Sequence, residues 1–224
     1  MRSLDDYLDA TLSLHPSPAL ADESRPDRAS LEAHLARRRY GRFTLTEAVR
    51  PGWHLDVVPR AGYRLDTYVD PSGGSRLPAV IAAASSEDLF ETFIALLAPL
   101  GDTVDVVLEG SHADSGRASE FTREGIERTV LESLLWDFED LLLDDGCTGI
   151  AVLHPERPIE VQFDAHKLLV VYAHARGPFE RILRGAGLER DDRLRFISQG
   201  EHLHASHERF AGRFAELAGR IGAD

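Results

Sequence analysis

LPAVIAAASSEDLFETFIALLAPLGDTVDVVLEGSH, residues 77–112, decides the predicted fold because a related stretch follows at residues 167–202, KLLVVYAHARGPFERILRGAGLERDDRLRFISQGEH. In the two stretches Phe90-Glu91 aligns with Phe179-Glu180 and, after a one-residue insertion, Gly110-Ser111-His112 aligns with Gly200-Glu201-His202. Each copy predicts a buried strand, a helix that opens at the Phe-Glu pair, a glycine stop, a second strand and a Gly-X-His exit. The sequence therefore predicts an internal duplication.

The segments around each copy predict the rest of the two units. Short turn-rich connectors favour antiparallel neighbours before each copy, and the strand-helix-strand crossover favours parallel pairing. The predicted fold class is α+β, with internally duplicated βββαβα units, mixed sheet or sheets, and helices packed on one face. The predicted strands are Leu55–Val58, Tyr63–Val69, Leu77–Ala84 and Thr103–Leu108 in unit one, and Gly149–Leu153, Ile159–Phe163, Leu168–Ala173 and Leu194–Ser198 in unit two.

The predicted organisation divides the chain at residues 53 and 145. Residues 1–53 form an N-terminal helical segment, with a short helix at 3–12, and a linker. Residues 54–145 are repeat unit one and end in a long helix from about Ala118 to Leu143, and residues 146–224 are repeat unit two. Neither unit buries its apolar surface alone, so we expect one compact body with a pseudo-twofold axis.

Composition limits the partners and the compartment. The formal net charge of −13 argues against nucleic acid and anionic membranes, which would repel the chain. No apolar run is long enough to span a bilayer, and acidic residues near the N-terminus do not fit a signal peptide. Cys147 is the only cysteine, so no intrachain disulfide can form. Lys167 is the only lysine among 25 basic residues, which indicates an arginine-biased coding background. We expect a cytoplasmic, bacterial protein.

The two Gly-X-His exits carry the candidate binding residues. His112 ends one exit, while His202 and His204 end the other and share a face if the chain stays extended. Imidazole side chains are common ligands of zinc. One alternative is therefore a site for zinc or another divalent metal held by His112, His202 and His204, with Asp114 or Glu201 as a further candidate for the third ligand.

Two other chemistries are weighed against simpler roles. Ser111 with His112 or His202, or Cys147 with a histidine, would give a nucleophile, but no Gly-X-Ser-X-Gly elbow is present and a lone cysteine is usually buried packing. Asp56, Glu87 or Glu91, and Glu109 follow an order of elements similar to that of ribonuclease H-like folds, a resemblance that implies carboxylates holding two metal ions.

Trp136 is the candidate contact residue of the predicted long helix. It falls near the polar Glu132 side of that helix, where an exposed tryptophan would mark a contact surface. Phe138 fits the buried stripe of the same helix.

The function predicted from the sequence is that of a non-catalytic binding or regulatory protein without a cofactor, whose ligand or partner, a protein or a small molecule, occupies a cleft between two pseudo-symmetric halves. Its tentative binding residues are His112, Trp136, Glu201, His202 and His204. The alternative is a metal-assisted hydrolase that uses the histidines at the exits.

Overall fold

The computed structural model describes residues 26–69, 74, 76–112 and 119–223. The predicted helix at 3–12 and Asp114 lie outside the described residues. The described part is α+β, with a seven-stranded sheet, two two-stranded sheets and six α-helices.

The elements are numbered in chain order. The first half contains α1 (Arg28–Leu35), β1 (Arg39–Tyr40), β2 (Phe43–Thr44), β3 (Val49–Pro51), β4 (Gly62–Val69), β5 (Arg76–Ala83), α2 (Ser86–Leu97), β6 (Thr103–Gly110) and β7 (Ser119–Glu127). The second half contains α3 (Arg128–Trp136), α4 (Glu139–Asp144), β8 (Thr148–Leu153), β9 (Glu160–Phe163), β10 (Leu169–Tyr172), α5 (Gly177–Gly185), β11 (His202–His204) and α6 (Glu208–Ile221). Short 3-10 turns lie at Ala98–Leu100 and Ile197–Gln199.

The large sheet has the strand order β4-β5-β10-β9-β8-β6-β7, and all of its strand pairs are antiparallel. The predicted parallel crossover is wrong, because α2 connects β5 to β6 across three intervening strands and β6 pairs with β7 and β8. Within the described residues, the one parallel contact is an isolated bridge between Tyr63 and Arg190. The mixed sheet was therefore an incorrect expectation.

The internal duplication is not confirmed, nor is the packing of helices on one face. Residues 54–145 supply two hairpins, β4-β5 and β6-β7, whereas residues 146–224 supply the three-stranded meander β8-β9-β10. Two predicted strands, Leu55–Val58 and Leu194–Ser198, are turns and loops. Leu55 has a positive φ of 49°, which ends any strand there.

The predicted long helix from Ala118 to Leu143 is wrong in its first third. Residues Ser119–Glu127 form the edge strand β7, and the helical part is split into α3 and α4. Gly125 adopts a φ of 66° where the β6-β7 register shifts between Val104 and Val106, and its N–H donates to Asp105 Oδ1 at 2.8 Å. Pairing with β6 thus satisfies backbone groups that a helix would have bonded internally.

Alternating side chains of the sheet build the main core. On β6, Val104, Val106 and Leu108 are buried, with exposed or partly exposed residues between them. They belong to one hydrophobic cluster with Phe93 of α2 and Phe210 of α6, together with residues of α3, α4 and α5. Burial of these side chains is the main stabilising contribution to the fold.

Two smaller clusters support the segments that carry the site described below. One joins Phe43 of β2 and Val49 of β3 to Leu168, Phe196 and Ile197. The other joins Leu31 and Leu35 of α1 to Leu203 of β11. The longest helix of the described residues, α6, has 14 residues, and no helix there has the length and apolar character needed to cross a bilayer.

Candidate functional site

Strand β11 holds His202 and His204 on one face. It pairs antiparallel with β3, in the register His202 to Pro51 and His204 to Val49. Leu203 is buried between two partly exposed histidines, as the two-residue period of a strand requires. The extended conformation that the sequence analysis assumed is confirmed, and the two imidazole centroids lie 5.2 Å apart.

The third histidine, His166, comes from the turn between β9 and β10. Asp164 fixes this turn, because its Oδ1 accepts from the Leu168 N–H at 2.8 Å and its backbone oxygen accepts from the Lys167 N–H at 3.0 Å. Lys167 adopts a φ of 62°, a left-handed conformation that costs a non-glycine residue roughly 1 kcal/mol. The turn therefore holds His166 in a defined direction.

His166, His202 and His204 form what we call the histidine group. The His166 centroid lies 4.9 Å from that of His202 and 4.7 Å from that of His204. One ring nitrogen of each histidine lies within 4.8 Å of one ring nitrogen of the other two. Nitrogens bound at about 2.1 Å to a tetrahedral zinc ion are roughly 3.4 Å apart. Binding of one ion would therefore require the three nitrogens to approach this spacing.

All three Nδ1 atoms are engaged by oxygen acceptors. Because these oxygens only accept, each Nδ1 must be the protonated donor, and Nε2 is the nitrogen that remains for a ligand. Metal-bound histidines usually show this arrangement, in which the second ring nitrogen donates to a carboxylate or a backbone carbonyl. The acceptors are Asp164 Oδ2 at 3.0 Å for His166, Gly200 O at 2.8 Å for His202 and Gly146 O at 2.8 Å for His204.

The electrostatics favour the neutral imidazole of His204. Burial lowers the pKa of His204, and repulsion from His166 and His202 adds to this effect, against the hydrogen bond to Gly146. Only the neutral ring offers a lone pair to a metal ion. Next to His166, burial also lowers the pKa of Lys167, to about 8.

A second polar group contains His112, Asp145 and Cys147, whose ligand atoms lie within 4.8 Å of one another. His112 Nε2 donates to Asp145 Oδ2 at 2.7 Å, and Thr148 Oγ1 donates to the same oxygen. His112 Nδ1 is buried without a hydrogen-bond partner in the described part of the chain. Burial raises the pKa of the Cys147 thiol and the Asp145 charge raises it further. The thiol therefore stays protonated, which disfavours the nucleophilic reading of Cys147.

The structure separates residues that the sequence analysis combined. It brings His202 and His204 together with His166, and it places His112 against Asp145 in the second group. Glu201 is exposed, and a Cβ at Gly52 would meet its side chain. Trp136 on α3 is 48% exposed and contacts the Phe90 ring edge-on at a centroid distance of 4.9 Å. The binding roles of these residues stay predictions.

The carboxylates of the ribonuclease H-like alternative do not assemble into a metal-binding set. Across the described residues, the only sets of three or more histidine, cysteine and carboxylate ligands within 4.8 Å are the two groups above. Glu87 instead interacts with the start of α2, and hydrogen bonds led by that from Ser85 lower its pKa to about 2. Ser111 Oγ lies 3.5 Å from the Cys147 carbonyl oxygen, to which it donates.

A narrow pocket opens beside the histidine group, with His166 and Lys167 in its wall. Its apolar side is formed by Phe43, Leu168 and Phe196. His166 thus belongs both to the histidine group and to the wall of this pocket.

His166 is the site residue that sequence reasoning missed. It lies 36 residues before His202 in the chain, in a turn whose Asp164 accepts from the Leu168 backbone N–H. The available signal was the Asp-X-His spacing, which lets one carboxylate fix both a turn and an imidazole. Comparison with protein-family models, curated proteins and solved structures gives no match for this chain.

Proposed function

We propose that the protein is a metal-dependent hydrolase whose metal ion, zinc or a similar divalent cation, is held by the histidine group. The observation that carries this proposal is the orientation of the three rings, each fixed through Nδ1 with Nε2 left for a ligand. In this proposal His166, and not His112, is the third metal ligand beside His202 and His204.

The donor set favours zinc or another transition metal. Three imidazole nitrogens suit zinc, copper, iron or nickel better than magnesium or calcium, which prefer oxygen. Three protein ligands leave the fourth tetrahedral position for water or substrate, as in catalytic zinc sites, whereas structural zinc sites use four protein ligands. We therefore infer that a metal ion held here would be catalytic rather than structural.

The chain's own residues position and tune this centre. Asp164 accepts from His166 Nδ1 and so makes that ring a more basic ligand, while the backbone oxygens of Gly200 and Gly146 orient His202 and His204. When bound, the metal ion lowers the pKa of a coordinated water to about 7 and polarises a carbonyl or phosphoryl oxygen. The pocket beside His166 would present the substrate to this position.

Hydrolysis of 4-nitrophenyl acetate by chelator-treated protein, before and after addition of zinc, tests the proposal. We expect zinc to raise the rate at least about tenfold, and His204→Ala to abolish the increase. His174→Ala, at an exposed histidine outside both groups, should retain it. Cobalt added in place of zinc should give the visible spectrum of a four-coordinate site. Equal rates with and without metal, and no such spectrum, would refute the proposal.

A second candidate is a cytoplasmic, non-catalytic binding protein, favoured by the exposure of Trp136. An indole that is 48% exposed on a helix fits a contact surface for a protein or a small molecule. Since the chain has two tryptophans, the Trp53→Phe variant isolates the emission of Trp136. We expect acrylamide to quench that emission strongly. An emission shielded from acrylamide would remove the observation behind this candidate.

A further inference from the structure

The pocket beside His166 is cationic in an acidic protein. The chain has 38 acidic residues and a net charge of −13, yet none of the residues that line this pocket is an aspartate or a glutamate. Three of them carry cationic side chains, namely Arg60, Lys167 and Arg195. Such a reversal of local charge indicates that the pocket attracts an anion.

Lys167 is buried, and one backbone oxygen accepts from its ammonium group. Its side chain is 6% exposed, and its Nζ donates to the Thr148 carbonyl oxygen at 2.9 Å. An ammonium group has three donors, and no carboxylate of the described residues lies within ion-pair distance of this one. The Phe163 ring, 5.4 Å away, adds a weak cation–π contact. The charges of Asp145, Asp164 and Asp144 offset part of the cost of burying this cation, and a further acceptor would lower that cost more.

Arg195 is held in place without being neutralised. Its Nη1 donates to the Asp56 carbonyl oxygen at 3.0 Å and its Nη2 to the Gln199 carbonyl oxygen at 3.1 Å. These acceptors orient the planar guanidinium but carry no full charge, whereas Arg60 is already paired with Asp191. Lys167 and Arg195 are therefore the two cations of the pocket that can bind an anion from outside.

The apolar side of the pocket indicates the chemical character of the uncharged part of the ligand. Phe43, Leu168, Phe196 and Ile197 are buried members of the small cluster that also forms this wall. They suit a short hydrocarbon or aromatic group, since polar atoms there would lose hydrogen bonds to water.

We propose that this pocket binds a small organic anion, a carboxylate or a phosphate monoester with a compact apolar body. Lys167 and Arg195 bind its charged group, and the apolar wall around Phe43 and Phe196 packs against its body. If the protein is the proposed hydrolase, this anion is its substrate, because His166 belongs to both the pocket and the metal centre. This assignment rests on the proposed function. Binding itself needs no metal ion.

Ligand-observed NMR titrations with benzoate and phenyl phosphate, using benzamide as the neutral probe, test this inference. They are run on chelator-treated protein and on zinc-loaded protein. We expect the anions to bind both forms at least about tenfold more tightly than benzamide, a difference of about 1.4 kcal/mol. Arg195→Gln and Lys167→Met should each weaken the anions at least fivefold without weakening benzamide. Arg190→Gln, at an exposed arginine that is paired with Asp192 and lies outside the pocket, is the matched control.

The outcomes separate the two proposals. Binding of benzamide equal to that of the anions, or no loss of anion binding in either variant, would overturn the anion pocket even if the protein takes up zinc. Selective anion binding in protein that takes up no zinc would support the pocket and overturn the metal-dependent function.

Discussion

The Nδ1 nitrogen of His204 lies 2.8 Å from the carbonyl oxygen of Gly146, the residue between Asp145 and Cys147. This hydrogen bond connects the histidine group to the loop that carries the second polar group. The Gly146 N–H donates in turn to the Ala205 carbonyl oxygen at 2.7 Å, next to His204 in the chain. The position of His204 therefore depends on the backbone at Gly146.

Gly146→Ala should destabilise the fold and weaken metal binding. A Cβ at this position would lie 2.5 Å from the Ala48 carbonyl oxygen and 2.7 Å from that of Ala205, and both are backbone atoms. We expect a loss of about 1–3 kcal/mol in the free energy of unfolding, measured in urea. Because the acceptor of His204 must shift, we also expect zinc affinity to fall roughly tenfold or more.

Gly212→Ala provides the matched control. Gly212 is exposed within α6, and a Cβ there meets no atom within 4 Å. Alanine should stabilise the helix by about 0.5–1 kcal/mol and leave zinc affinity unchanged. If the two variants gave the same stability, the close packing around Gly146 would be refuted.

Asp145→Asn should cost about 2–4 kcal/mol of stability, measured by chemical denaturation at pH 7. Asp145 is fully buried, and its carboxylate accepts from His112, Thr148 and the Cys147 N–H. The asparagine amide has the same shape but no charge. Its NH₂ group would face hydrogen-bond donors that the carboxylate now accepts from. Asp192→Asn, at an exposed residue paired with Arg190, should change stability by less than about 0.5 kcal/mol.

The same substitution has an expected pH signature. Burial raises the pKa of Asp145, but hydrogen bonds from His112, Ser206 and Thr148 together bring it below its ordinary value. The stabilisation by this carboxylate is therefore present above its unfolded pKa, about 3.8, and is lost as the pH falls through the lower folded pKa. The stability of Asp145→Asn should depend less on pH in this acid range, and equal acid sensitivity of the two proteins would argue against the assignment.

Glu160→Gln should stabilise the protein at pH 7. Burial raises the pKa of Glu160, the Glu109 charge raises it further, and the hydrogen bond from Gln162 opposes them. The folded state therefore favours the protonated acid, and stability falls as the pH rises through the folded pKa. Thermal unfolding at pH 7 and pH 4 should show the gain at pH 7 and little difference at pH 4. The exposed Glu156→Gln serves as the control, and a gain of the same size at both pH values would exclude this explanation.

Local sequence patterns predicted most of the strands and helices, but they did not predict the order of the strands in the sheet. The alternation at Tyr63–Val69 and the apolar run at Leu77–Ala84 correctly indicated the positions of β4 and β5, because both patterns are local to the strand. The burial of β4 nevertheless decreases from its first residue to its last instead of alternating. Which strand lies beside β5 depends on contacts between distant segments, and β10 takes the place that the crossover gave to β6. The repeated Phe-Glu pair correctly indicated two helices, α2 and α5, but the strands on either side of these helices are arranged differently.

The prediction of a helix at 118–143 was wrong in part, because a helical spacing of apolar residues does not exclude strand pairing with β6. Phe121 and Ile126 fit a helical stripe, yet β6 offered an edge whose N–H and C=O groups β7 satisfies. In the site, the face shared by His202 and His204 followed from strand geometry. His166 did not, because only the folded sheet brings the β9-β10 turn against β11.

Metal content per chain tests the central claim most directly. Protein purified without chelator, supplied with zinc and dialysed against metal-free buffer would be analysed by mass spectrometry of the elements. The proposed centre predicts about one zinc ion per chain in the wild type and in His174→Ala, and near zero in the His202→Ala, His204→Ala double variant. A wild-type content well below one ion per chain, or an equal content in the double variant, would contradict the assignment of the histidine group as a metal centre.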